Sequence, residues 1–235
     1  LGILNGTDNI AVYAKNSGTS VINNGTVNAV SDEGVKGVVV TNSASVTNNN
    51  SILLEGDSGS VGIYAADFGN FTSSVTGSTG IKVAGKNSVG IYAGNNGSVT
   101  TNGTIEAIDN AVNLYVSNGK IILSDASLTT KANSLLFYAE NNGKFTLTDS
   151  QADIEASGAG FYYDASVLGA ITTGTISDYV SNMFSGSSNS TLNMHQDSIL
   201  TSVDNAALVN LSDLPDLKSM LASNGINVTG SGYKN

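Results

Sequence analysis

The chain offers few side chains for catalysis. It contains one histidine, His195, no cysteine, and no arginine, because all nine basic residues are lysines. A serine–histidine–aspartate triad would therefore have to use His195. The counts exclude a metal site with several histidine or cysteine ligands. His195 lies at a predicted corner between two strands, where we expect it to be solvated.

Carboxylates are the other candidate catalytic groups. Asp153 and Glu155 alternate along one predicted strand face, and Asp149 lies one corner earlier. Glycoside hydrolysis needs two carboxylates about 5–9.5 Å apart across the substrate. The three acids could also bind calcium, although they lack the aspartate-rich calcium loop, and acids on an outward face usually only increase solubility. We therefore predict no catalytic residue, no metal and no cofactor, with a polysaccharide lyase or glycosidase as the alternative.

Composition restricts the partners. Nineteen acidic residues against nine lysines give a net charge of −10, which disfavours nucleic acid and anionic lipid surfaces. No apolar run approaches the roughly 20 residues of a membrane helix, so we expect no membrane insertion by this segment. Because 40% of residues are hydrophobic and only one is proline, the chain should fold. Its many β-branched residues favour strands.

The elements that would position these groups repeat along the chain. Three columns of apolar residues recur along the chain, the first of them at steps of 22 to 28 residues. The first column is Val12, Val38, Ile63, Ile91, Leu114, Phe137, Phe161, Met183 and Leu208. The second is Val21, Val46, Phe71 (or Val75), Val99, Ile121, Phe145, Ile171 and Leu192. The third is Val27, Ile52, Ile81, Ile105, Leu128, Ile154, Ile176 and Ile199.

Each repeat therefore provides three short segments in which apolar and polar residues alternate, as in half-buried strands. Pairs such as Asn96-Gly97 and Asn142-Gly143 separate the segments, and these residues accept the positive φ of a sharp corner. One such coil cannot bury its apolar face alone, but a stack of coils can. We predict an all-β fold, a single-stranded parallel β-helix of nine coils, forming one domain over residues 1–235.

The segment 90–105, Gly-Ile-Tyr-Ala-Gly-Asn-Asn-Gly-Ser-Val-Thr-Thr-Asn-Gly-Thr-Ile, resembles the passenger repeats of large monomeric (type Va) autotransporter adhesins of Gram-negative bacteria. Weaker versions extend over residues 9–210. The resemblance implies a right-handed β-helix, part of a longer passenger, exported through an outer-membrane β-barrel outside this fragment and displayed on the cell surface. It also implies a non-catalytic role in adhesion and virulence, through a host or bacterial surface protein or glycan.

Tyrosines form the first candidate partner-binding surface. They follow the first apolar column by one residue, so alternation turns them outward and stacking places them in a ladder. Neighbouring rings could simply staple the coils together, or the ladder could bind a sugar or a protein. The ladder is predicted to contain Tyr13, Tyr64, Tyr92, Tyr115, Tyr138 and Tyr162.

Departures from the repeat form the second candidate surface, because binding sites on solenoids often lie on insertions. Residues 211–225 combine a capping residue, a proline and apolar residues at helical spacing, which predicts a helical insertion. This helix either covers a sheet edge or presents four side chains to a partner: Asp213, Asp216, Lys218 and Met220. A longer corner next to Tyr163 and Asp164 predicts an exposed aromatic–acidic pair.

Overall fold

The structure, a computed structural model, describes residues 7–30, 33–56, 58–73, 80–164, 173–204 and 217–234. These residues form a parallel β-solenoid of about six turns, with three parallel sheets and two helices. The predicted fold class is therefore confirmed. Each strand pairs with the equivalent strands of the coils before and after it, so residues distant in sequence lie side by side.

The strands of the described residues divide among three sheets, numbered here in the order in which the chain meets them. Sheet 1 contains β1 (Ile10–Lys15), β4 (Lys36–Thr41), β7 (Val61–Ala65), β10 (Val89–Gly94), β13 (Val112–Ser117), β16 (Leu135–Glu140), β19 (Ala159–Asp164) and β21 (Ile199–Asp204). Sheet 2 contains β2 (Ser20–Asn23), β5 (Ser45–Asn48), β8 (Asn70–Ser73), β11 (Ser98–Thr101), β14 (Lys120–Ser124) and β17 (Lys144–Thr148). Sheet 3 contains β3 (Val27–Val30), β6 (Ile52–Glu55), β9 (Ile81–Ala84), β12 (Thr104–Ile108), β15 (Ser127–Thr130), β18 (Gln151–Ile154), β20 (Ser190–Met194) and β22 (Ile226–Gly230).

The predicted apolar columns lie inside the solenoid over the first six coils. In sheet 1 the column is in register from Val12 to Phe161. In sheet 2 it is in register from Val21 to Phe145. Most of these side chains are fully buried, and burying one of this size contributes about 1.5–3 kcal/mol. These parts of the prediction are confirmed.

The third column is correct for five coils and then shifts. Residues Val27 to Leu128 pair in register along sheet 3. Leu128 then pairs with Ala152 rather than with the predicted Ile154, which pairs with Thr130. Both positions of β18 face the core, because a shift of two residues keeps the same face of a strand. Hydrophobicity alone therefore did not distinguish them.

The predicted count of nine similar coils is wrong. The residue that follows Phe161 in its column is Thr201, 40 residues later, because a helix takes the place of a sheet 2 strand in that coil. Ile171 and Leu208 lie outside the described residues. The remaining predicted column residues of this region lie in other elements: Ile176 and Met183 in the helix, Leu192 in sheet 3 and Ile199 in sheet 1.

Helix α1 spans Thr173–Met183, between β19 and β20 in the sequence. The repeat pattern did not predict it. Ile176, Val180 and Met183 are nonetheless buried at the i, i+4, i+7 spacing of an amphipathic helix. Helix α2 spans Leu217–Ser223, within the predicted insertion, and β22 follows it. Residues 211–216 of that insertion lie outside the described residues.

An aromatic cluster joins α1 to the regular coils. Phe184, directly after α1, is fully buried. Its ring lies 5.1 Å from Phe137, 6.0 Å from Phe145 and 5.6 Å from Phe161 between centroids. The chain then runs beside β17, where Ser188 N–H donates to the Leu147 carbonyl at 2.8 Å. The helix thus closes the core where sheet 2 ends.

The corners between sheets 1 and 2 use residues that tolerate positive φ. Both residues of the pairs 95–96 and 141–142, all asparagines, have left-handed φ. The glycine that follows lets the chain pass close to the preceding coil, since a Cβ on Gly97 would lie 2.2 Å from the Ala65 carbonyl oxygen. The equivalent corner at 67–68 contains Phe68 with a φ of 63°, which is unfavourable for a bulky side chain.

Candidate binding surface

The predicted tyrosine ladder is present along five coils of sheet 1. We call it the tyrosine strip, and consecutive ring centroids in it lie 4.7 to 5.4 Å apart. Its members are Tyr64, Tyr92, Tyr115, Tyr138 and Tyr162. Tyr13 is not a member, because Val39 of β4 lies between it and Tyr64 in register. The Tyr13 side chain is 53% exposed.

Ring packing limits what the strip can bind. Each inner ring has a neighbouring ring on both sides, and most neighbours meet edge to face. The ring faces that would stack on a sugar are therefore largely covered, and the strip presents ring edges and hydroxyl groups. This geometry favours the interpretation of the rings as staples between coils, with a row of phenol groups facing outward.

The strip borders a carboxylate that sequence reasoning missed. Glu140, the last residue of β16, accepts hydrogen bonds from the Tyr115 hydroxyl at 2.9 Å and from the Tyr138 hydroxyl at 3.4 Å. Burial, followed by these interactions with Glu140, raises the pKa of both tyrosines. Alternation places Glu140 on the same face as Tyr138, two residues earlier. That spacing was a signal that could have identified it.

A cleft of about 310 Å³ opens where α1 approaches this carboxylate, and we call it the helix cleft. The Tyr179 hydroxyl of α1 donates to the Ala139 carbonyl at 3.2 Å and ties the helix to sheet 1. Burial raises the pKa of Tyr179, so its hydroxyl stays protonated as a donor. The cleft is lined by Ala139, Glu140, Asn141, Asn142, Gly143, Tyr163, Asp178, Tyr179, Asn182 and Met183.

A second, more open cleft of about 340 Å³ adjoins the first along the corners between sheets 1 and 2, and we call it the corner cleft. Asn142 lines both clefts. Lys120 and Lys144 are register partners at the start of β14 and β17 and form one side of the corner cleft. Two carboxylates thus line the helix cleft, two ammonium groups line the corner cleft, and the Asn142 side chain borders both.

The predicted exposed pair next to the corner after β19 requires a correction. Tyr163 is only 1% exposed, because the strand alternation turns it toward the core, where its ring meets Tyr179 edge to face at 5.3 Å. It does reach the wall of the helix cleft. Asp164 is half-buried, and its charge contributes, after burial and Glu140, to the raised pKa of Tyr138.

The predicted knob around α2 is described only in part. Lys218 is exposed, as expected for a residue facing a partner. Met220 is half-buried and packs against the core, because α2 turns its apolar side, including Leu217 and Leu221, inward. Asp213 and Asp216 lie outside the described residues.

The acids proposed for the enzyme alternative are engaged in pairs between coils. Asp153 accepts from Asn193 Nδ2 at 2.7 Å, and His195 Nε2 lies 3.4 Å from the same carboxylate. Glu155 lies 3.5 Å from Lys131, which also pairs with Glu106 at 3.0 Å. Exposed pairs of this kind contribute little stability, about 0–1 kcal/mol each. Within the described ranges, no three acidic or histidine side chains converge to hold a metal ion.

Phe68 is a further exposed residue that the sequence analysis did not identify. It is 66% exposed and occupies the corner position held by Asn96 and Asn142 in other coils. Asp67 beside it accepts from Asn95 Nδ2 at 3.3 Å, which continues the corner ladder. The signal was available in the sequence, because Asp67-Phe68-Gly69 departs from the Asn-Asn-Gly pattern.

Comparisons of the chain with known protein families, curated proteins and solved structures give no match. Neither helix of the described residues has the length and apolar character needed to cross a bilayer. The function is therefore inferred from the residues and geometry set out above.

Proposed function

We propose that this chain is a segment of the passenger of a type Va autotransporter adhesin. In this proposal the segment is a monomeric, right-handed β-solenoid displayed outside a Gram-negative cell and anchored through an outer-membrane β-barrel of the parent protein. It attaches the cell to a surface protein or glycan on a host or bacterial cell. It performs no catalysis.

The observation that carries the proposal is how the side chains are used in the regular coils. Inward residues fill one continuous core, and corner residues hold adjacent coils together. Outward acids such as Asp153 and Glu155 pair with residues of neighbouring coils. This is the arrangement of a rigid scaffold, and its open features include the helix cleft and the corner cleft, which suit recognition.

Binding to intact cells tests the proposal. The fluorescently labelled 235-residue chain would be added to cultured epithelial cells and to a panel of bacteria, with the heat-unfolded chain as control. We expect saturable binding that the unlabelled chain displaces, because a folded surface is required. Absence of saturable binding to every cell type of the panel would contradict the proposal.

The alternative, a polysaccharide-degrading enzyme, is favoured by one observation. Two carboxylates, Glu140 and Asp178, line the same cleft, and glycosidases act through such pairs. Release of reducing ends or unsaturated products from a panel of polysaccharides measures this activity. Turnover that Glu140→Gln abolishes would favour the enzyme over the adhesin.

A further inference from the structure

In the helix cleft, one wall comes from a helix that lies outside the strand repeat. Strand β16 and its corner supply Glu140, Asn141 and Asn142, while α1 supplies Asp178 and Asn182 from positions four apart on one helical face. No register of stacked strands would bring these two groups of side chains together. The cleft has the volume of a small-molecule site, which begins at about 300 Å³.

The walls and floor of the cleft differ in chemistry. Three amides and two carboxylates line it and offer both donors and acceptors, whereas the half-buried Tyr179 supplies aromatic surface; Tyr163 and Met183 also border the cleft but are each only 1% exposed. A sugar ring has the matching construction, with hydroxyl groups at its edge and C–H groups on its faces. Aromatic groups with a few well-placed polar groups are the usual way to hold such an amphipathic ligand.

One polar group is already held in position. The hydroxyls of Tyr115 and Tyr138 both donate to Glu140, so the carboxylate does not have to be ordered when a ligand arrives. Acceptors of this kind suit the hydroxyl donors of a saccharide.

Charge selects among saccharides. Glu140 and Asp178 repel an anionic sugar, and the chain has a net charge of −10. The adjoining corner cleft carries Lys120 and Lys144, so the two clefts together contain two carboxylates and two ammonium groups. A neutral, hydroxyl-rich chain can extend from one cleft to the next, because Asn142 borders both.

We propose that the helix cleft binds a neutral oligosaccharide. This inference rests on the proposed adhesin function and specifies the ligand class for one surface of it. Glu140 and Asp178 accept hydrogen bonds from hydroxyl groups, the three asparagines donate to ring and hydroxyl oxygens, and Tyr179 packs against the sugar ring. Longer glycans extend toward the corner cleft.

An array of immobilised neutral, sialylated, sulfated and amine-bearing oligosaccharides tests the proposal. The labelled 235-residue chain would be compared with Asp178→Asn, Asn182→Ala and Glu140→Gln. The matched control is Asp197→Asn, which removes an exposed carboxylate at a corner outside the cleft and keeps a residue that tolerates its φ of 63°. Thermal unfolding of each variant checks that the fold is intact. We expect it to be intact in Asp178→Asn and Asn182→Ala, because both side chains are exposed.

We expect binding to neutral glycans that Asp178→Asn and Asn182→Ala each weaken by about tenfold, since the first replaces a charged acceptor by a weaker neutral one and the second removes a donor. Asp197→Asn should bind like the unmodified chain. Binding only to charged glycans, no binding on the array, or equal binding by the cleft variants would overturn the proposal. If the chain adheres to cells without binding any array glycan, this inference fails and the adhesin proposal stands. If the chain binds glycans but does not attach to cells, this inference stands and the adhesin proposal fails.

Discussion

The six three-stranded coils and the two coils that contain helices solve the same packing problem differently. In the regular coils each side chain has an equivalent 22 to 29 residues away, and the pairing register alone determines its neighbours. In the coil that contains α1, the strands of sheets 1 and 3 still stack, but the third side is a helix. The core there is closed by rings such as Phe184 rather than by a strand.

This difference explains where a ligand site can form. In a regular coil, outward side chains contact side chains of the adjacent coils. Lys131 pairs with Glu106 and Glu155, and the tyrosine rings pack against each other. A helix does not follow that register. Asp178 and Asn182 therefore face a corner of the regular coils instead of their own equivalents.

The largest expected effect concerns the junction between the two regions. Phe184→Ala should lower the free energy of unfolding by about 3–5 kcal/mol, because it removes a fully buried ring packed on three others. The matched control is Phe68→Ala, which deletes the same side chain where it is 66% exposed, and should change stability by less than about 0.5 kcal/mol. Equilibrium urea unfolding followed by circular dichroism measures both. Equal losses would show that α1 does not close the core.

The second effect compares glycines in the two regions. Gly97→Ala should cost about 2–3 kcal/mol, because the new Cβ meets the Ala65 carbonyl oxygen of the neighbouring coil. Gly186→Ala, after α1, should cost only about 1 kcal/mol, since its Cβ would make just an ordinary contact with Thr146 Cγ2 at 3.9 Å and only its φ of +85° is unfavourable. Urea unfolding under identical conditions ranks them. The reverse order would contradict the close stacking of the regular coils.

The third effect tests the end of the tyrosine strip. Tyr115→Phe should cost about 1 kcal/mol at neutral pH, because it removes a hydrogen bond to the Glu140 carboxylate at a half-exposed site. Tyr64→Phe keeps the same ring contact with Tyr92 and should cost less, because Tyr64 lies three coils from Glu140. Melting temperatures of the two variants at pH 7 provide the comparison, and equal values would remove the case for an oriented Glu140.

The strip also gives the stability a pH dependence. Burial raises the pKa of Tyr64, Tyr92, Tyr115 and Tyr138 above the ordinary tyrosine value of 10.0. Groups with a raised pKa keep their proton to a higher pH in the folded state than in the unfolded state. Their contribution to the free energy of unfolding is therefore complete below pH 10 and is lost as pH rises through the folded pKa values. Melting temperature should therefore fall above about pH 10, and less steeply in Tyr115→Phe. An identical slope in both proteins would contradict this origin.

The smallest effect is a gain in stability. Phe68→Asn should raise the free energy of unfolding by about 0.5–1 kcal/mol, because asparagine tolerates the left-handed φ that Phe68 adopts. The reciprocal change Asn96→Phe, at the equivalent corner, should lose a similar amount. Both are measured by thermal unfolding. A loss of stability in Phe68→Asn would mean that the exposed ring makes a contact that offsets its strain.

Sequence reasoning predicted the regular coils because their alternation and corner residues repeat the same choice six times. It failed after Phe161, where Ile176 and Met183 fit two strand columns at the repeat spacing and, together with Val180, one face of a helix. Only tertiary packing decides between these readings. Tyr163 was predicted to be exposed for a related reason. Its hydroxyl group and the neighbouring Asp164 are compatible with an exposed position, but equally with a position on the inner face of a strand that packs against a helix.

The site was predicted less well than the fold because its two walls are unrelated in sequence. The tyrosine strip follows from the repeat, and Glu140 could have been found from it. Asp178 and Asn182 could not be found in this way, since their approach to residues 139–143 depends on the path of α1 across β17. Repeat patterns in the sequence therefore identify surfaces formed by stacked strands, but not surfaces to which an element outside the repeat, such as α1, contributes.

One engineered disulfide tests the central claim, that the strands on either side of α1 stack although the helix separates them by 40 residues. Tyr162 and Ser202 are register partners on the outward face of β19 and β21, and neighbouring strands lie about 4.8 Å apart, within disulfide range. The chain has no cysteine, so mass spectrometry of the Tyr162→Cys/Ser202→Cys protein after mild oxidation gives an unambiguous result. The account predicts nearly complete intramolecular disulfide formation; two thiols that stay reduced in the folded protein would contradict it.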